Sequence, residues 1–154
     1  MFKKNALLSI AALLALGMTF MSCKDEENPT TVPTSTRLTA TLNGASEKPN
    51  STTSTAAGTF VGDLNTTTRV LSYTVTYTGP FSSSLTGGHI HRITKADGTG
   101  PVEIPFSSLT SPITGTTGAL AQTKVDSMLN GFYYVNLHTS TYPAGEIRGD
   151  IKKQ

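Results

Sequence analysis

From Arg37 onward the chain alternates apolar and polar residues in short runs broken by turn residues. The clearest run is Arg69–Thr78. Leu71, Tyr73, Val75 and Tyr77 fall on one face of an extended chain, and Ser72, Thr74 and Thr76 on the other. A period of two predicts a half-buried strand, and Gly79-Pro80 ends it. The same reading predicts strands over 37–43, 55–64, 88–94, 102–106, 113–122, 132–139 and 146–152. Only Thr123–Leu129 reads as a helix, about two turns long and stopped by Asn130-Gly131. Short strands at this spacing predict an all-β domain, an antiparallel β-sandwich of Greek-key, immunoglobulin-like or superoxide-dismutase-like type. A domain of 37–154 is long enough to bury about two-thirds of its unfolded surface without disulfides.

Composition agrees with strands and turns. The 154 residues include 27 Thr, 15 Ser, 14 Gly and 8 Pro, with no Trp. Charged residues make up only 14%, and the formal net charge is +2. So weak a balance argues against a nucleic-acid binder and against an acidic disordered chain. No Gly-x-Ser-x-Gly elbow occurs, and Gly98-x-Gly100 lacks the Lys-Ser/Thr of a phosphate loop. With no visible nucleophile–base pair, a hydrolase is the least favoured class.

The N-terminus departs from the strand pattern. Lys3-Lys4 precede a nearly continuous apolar run from Ala6 to Met21. That run falls short of the roughly 20 residues a membrane-spanning helix needs, and its flanks describe an export signal over residues 1–22. The chain's single cysteine, Cys23, follows at once. It has no disulfide partner, and its position resembles a bacterial lipobox, in which the thiol is acylated and becomes the new N-terminus. Lys24-Asp25-Glu26-Glu27 resembles the acidic tag of surface-exported lipoproteins. The expectation is an outer-membrane lipoprotein facing the cell exterior, with the periplasmic face as the alternative. Residues 23–36 then form a tether too polar to build a core. Removing residues 1–22 takes two lysines and no acid, leaving ten charges of each sign.

Three histidines are candidates for chemistry. His89 and His91 are two apart on a predicted strand and point to one face, with Ile90 on the other. Imidazoles so placed can close on one copper or zinc ion with His138 as the third ligand, or can serve as hydrogen-bonded residues that order loops. Parity places Tyr133, Val135, Leu137, Ile147 and Ile151 toward the core. Asn136 and His138, with Glu146 and Arg148, then fall on the opposite face. All three histidines lie off the core face, so they can meet only if their strands are neighbours in one sheet. Glu47, Asn136, Glu146 and Arg148 are candidates for a polar recognition patch, or for a cross-strand ion-pair ladder that sets register. Asp126-Ser127-Met128 resembles an O-glycosylation triplet, making Ser127 a candidate acceptor.

The motifs have a familiar order. Leu38-Thr39-Ala40-Thr41-Leu42-Asn43-Gly44-Ala45-Ser46-Glu47 opens the domain, and His89-Ile90-His91 lies mid-chain before Gly98, Gly100 and Pro101. Gly131-Phe132-Tyr133-Tyr134-Val135-Asn136-Leu137-His138-Thr139 and Pro143-Ala144-Gly145-Glu146-Ile147-Arg148-Gly149 close it. This set resembles the CHRD domain, named from chordin, an extracellular antagonist of bone-morphogenetic-protein signalling, and also found in bacterial exported proteins. The resemblance covers Arg37 to Ile151. Arg92 stands where the family more often has Gly, and Pro49-Asn50 where two prolines are common. The resemblance implies an extracellular β-sandwich module with no agreed enzymatic activity, and chordin's partners do not transfer with the fold. His-x-His on a sandwich strand is also similar to the copper site of Cu/Zn superoxide dismutase, whose further histidines and bridging ligand this chain lacks. The leading expectation is therefore a lipid-anchored, non-enzymatic binding or envelope-structural module of unknown ligand. The alternative is a copper- or zinc-binding protein using His89, His91 and His138.

Overall fold

The computed structural model describes residues 34–154. The expected export signal, Cys23 and the part of the expected tether before Thr34 lie outside the described residues. Eight strands and one helix follow in order: β1 (Ser35–Asn43), β2 (Ala57–Asn65), β3 (Val70–Thr78), β4 (Leu85–Arg92), β5 (Val102–Pro105), β6 (Ile113–Thr116), α1 (Gln122–Leu129), β7 (Tyr133–Thr139) and β8 (Ile147–Lys153). β1 begins within the expected tether, where Ser35 and Thr36 pair with Asn65 and Leu64. β6 is shorter than its pattern. Beyond Thr116 the chain still bonds toward β3, Thr117 N to Leu71 O and Leu120 N to Arg69 O, but Gly118 interrupts the ladder.

Alternation sets the layers. Leu38, Ala40 and Leu42 of β1, Phe60 and Leu64 of β2, and Leu71, Tyr73 and Val75 of β3 are all buried. Their alternate neighbours carry the threonines of the outer face, where the paired Thr59 and Thr76 share a 2.7 Å hydroxyl hydrogen bond. Each fully buried leucine contributes roughly 1.5–3 kcal/mol relative to leaving it in water. The turn from β2 to β3 is capped by Asn65, whose Oδ1 accepts from the amides of Thr67 and Thr68.

All pairings are antiparallel and form one continuous sheet in the order β5-β4-β7-β8-β1-β2-β3-β6. The fold is all-β, as the pattern predicts. Its two layers are the two ends of this one sheet, which curls over a shared core. The Tyr73 ring of β3 lies 5.4 Å from that of Phe106, just after β5. The Tyr77 hydroxyl of β3 donates to Leu109 O in the same connection. α1 adds Val125 and Met128 to the core. The consequence for function is local: β4 and β8 flank β7, so three strands present one shared face.

Candidate metal centre

In the pairing of β4 with β7, His89 stands opposite Asn136, His91 opposite Tyr134, and His138 opposite Gly87. Ile90 is fully buried in the core, so His89 and His91 emerge on the other face, where His138 also lies. Their ring centroids are 5.4 Å apart for His89–His91, 5.1 Å for His89–His138 and 5.9 Å for His91–His138. One nitrogen from each ring lies within 4.8 Å of the other two. Three such points share a centre no more than about 2.8 Å from each, against a zinc–imidazole bond of about 2.0–2.1 Å. Side-chain rotation of less than about an ångström closes the difference. Gly87 makes room for the cluster, because a Cβ there would lie 3.0 Å from His89 Cε1.

Two backbone carbonyls set the ring orientations. His91 Nδ1 donates to Gly100 O and His138 Nδ1 to Pro143 O, each at 3.1 Å. A carbonyl only accepts, so both Nδ1 atoms carry the proton and both Nε2 atoms keep a lone pair. These Nε2 atoms and His89 Nδ1 are buried without a hydrogen-bond partner among the described residues, an uncommon state for buried polar atoms. Burial pushes the His91 pKa down to about 4, with the Gly100 carbonyl opposing and His138, His89 and Arg148 adding to the fall. Burial also lowers His89 and His138. The rings are neutral at pH 7, the state that binds metal.

Beside the histidines lies a second buried layer. The Tyr134 ring stacks on His91 at 4.8 Å and 8°, and the Arg148 guanidinium lies 3.5 Å from its centre. Arg148 is fully buried. It donates to Asp150 Oδ1 from Nε at 3.1 Å and Nη2 at 2.8 Å, and to Gly98 O at 2.8 Å. Asn136 Nδ2 reaches Ala144 O at 3.4 Å and Glu47 Oε2 at 3.5 Å. Burial raises the Glu47 pKa to about 7 against the opposing pull of Arg148 and Asn136. Gly145 holds a φ of +135°, and a Cβ there would fall 2.4 Å from Asn136 Nδ2 and 2.5 Å from Glu47 Oε2.

The four polar candidates therefore lie in the interior rather than on an open recognition patch, and of the four only Glu47 and Asn136 are bonded to each other. Glu47, Asn136, Glu146 and Arg148 are all buried. Nor do Glu146 and Arg148 form an ion-pair ladder. Glu146 accepts instead from the hydroxyls of Ser54, Ser82 and Thr139 and from the Ser82 amide. Burial would raise its pKa, but these donors hold it below the ordinary carboxylate value.

The CHRD domain family model matches residues 38–151. The chain belongs to the CHRD family. No curated protein and no solved structure matches it. The histidine cluster and the buried polar layer both fall within the matched CHRD span. Sequence reading places Tyr134 on the outer face and gives Gly145 a backbone role, but it missed Gly87 and the carbonyls of Gly100 and Pro143. The only advance signal for them was the density of Gly and Pro around the histidine motifs. The Asp126-Ser127-Met128 triplet lies on α1 of the CHRD domain, where the half-buried Ser127 hydroxyl donates to Thr123 O at 2.7 Å.

Proposed function

We propose that this CHRD protein is a lipid-anchored envelope protein whose domain holds one copper or zinc ion at His89, His91 and His138. The observation that carries the proposal is the convergence of three neutral imidazoles whose free nitrogens have no other partner. Backbone carbonyls that accept the other ring proton orient metal-bound histidines and raise their basicity. Each ring would supply one lone pair, and together they would hold a borderline-soft ion. The domain would act by binding the ion. Among the described residues the carboxyl that burial raises to a pKa of about 7, Glu47, faces Asn136. The anchor rests on the export signal and Cys23, and the envelope location, outward-facing, on the acidic stretch that follows.

Metal content decides the matter. The full chain, extracted in detergent without an affinity tag and loaded with copper or zinc, should retain one ion per chain by mass spectrometry. A His89→Ala/His91→Ala variant that still shows a native circular dichroism spectrum should retain none. Absence of retained metal in the parent chain overturns the proposal.

A further inference from the structure

The geometry points to an open coordination position on this centre, which takes a small anion. This inference rests on the metal reading above and adds the class of ligand. Among the described residues, the group that could hold an ion contains three histidines and no carboxylate or thiolate. Closed structural sites use four protein ligands, whereas three leave a position for an external one.

Among the described residues no carboxylate joins the three histidines. Glu146 is saturated by its hydroxyl and amide donors. Asp150 is tied to Arg148, and Glu47 reaches Asn136 through Oε2 while its Oε1 is buried without a partner.

Charge then selects the ligand. Three neutral imidazoles do not offset a divalent ion, and the buried cationic guanidinium of Arg148 stacks against the ring that stacks on His91. A net dication held partly out of water beside that cation is costly, and an anion in the fourth position offsets it. His91 is buried, but His89 and His138 remain half-exposed, and Gly87 places no side chain beside them.

Azide is the probe, because its binding to copper(II) produces a charge-transfer band. The full chain is loaded with one equivalent of copper(II) in halide-free buffer, and azide is titrated in. The expected result is a new near-ultraviolet band that saturates at one azide per copper. A changed electron paramagnetic resonance spectrum should accompany it, with copper still bound after desalting. Retained copper whose spectra azide leaves unchanged overturns the open position and leaves the metal reading intact. Azide that strips the copper also overturns it. A chain that retains no copper overturns both.

Discussion

The Arg148 guanidinium lies 3.5 Å from the centre of the Tyr134 ring, and the same ring stacks on His91. Tyr134 thus joins the buried cation of β8 to the histidine of β4 across β7. A desolvated cation–π contact contributes about 2 kcal/mol, and Arg148 also holds Asp150 and the Gly98 carbonyl. Arg148→Ala is expected to destabilise the domain by about 3 kcal/mol, read as a shift in the urea midpoint. A loss of under about 0.5 kcal/mol, the range of a surface substitution, would show that the stack carries no weight.

Glu47 links stability to pH. Its folded pKa of about 7 lies above the ordinary 4.5, because burial outweighs the attraction of Arg148. Arg148 of β8 and Tyr134 of β7 are the ionisable groups coupled to it. Between these values the native state keeps a proton that the unfolded chain has released. The contribution is therefore fully present below pH 4.5 and lost as pH rises through about 7. Glu47→Gln removes this dependence. Relative to the parent, the variant should gain up to about 3 kcal/mol between those limits, measured by urea unfolding across that range. Parallel stability profiles would refute the raised pKa.

Glu146 has the opposite sign. Its pKa is lowered in the fold, so its contribution is present above the ordinary carboxylate value and lost as pH falls through the lowered one. Glu146→Gln replaces an accepting oxygen with an amide that cannot accept from Ser82 or Thr139. The loss should be about 2–3 kcal/mol at neutral pH, read as a shift in the urea midpoint. A loss of under about 0.5 kcal/mol would count against these bonds.

Gly145→Ala tests the loop that orients His138. The φ of +135° disfavours an L side chain, and the new methyl would press on Asn136 and Glu47. The neighbouring Pro143 carbonyl should then shift from His138 Nδ1, weakening metal affinity about 10–100-fold. Competition against a chromophoric chelator would measure it. Parent-like affinity in a folded variant would remove the Pro143 carbonyl from any part in the site.

Cys23→Ala tests the anchor independently of the metal. The parent should incorporate an alkyne-tagged fatty acid and partition into the membrane fraction, and the variant should do neither. Protease treatment of intact cells should then digest the parent's domain if it faces outward. Fatty-acid labelling that survives in the variant would show that acylation is not at Cys23.

The core was legible because strand side chains repeat every two residues. That rule alone places Val135, Leu137, Ile147 and Ile151 inside, and all four are fully buried. It also sets His89 and His91 on one face. The fate of the other face was not legible. The same alternation marks Tyr134, Asn136 and Arg148 as outward, yet chain segments far away in sequence bury them. Gly98 accepts from Arg148, while Glu47 and Ala144 meet Asn136.

The sequence by itself determined the strand periods, the facing of each side chain and the CHRD family, since these depend on neighbours a few residues apart. Only the tertiary structure decided that β4 lies beside β7, that His138 joins His89 and His91, and that the Gly100 and Pro143 carbonyls set the ring tautomers. Strand order is fixed by burial over the whole chain. A backbone carbonyl belongs to every residue alike, so no side-chain pattern marks the one that will meet a histidine.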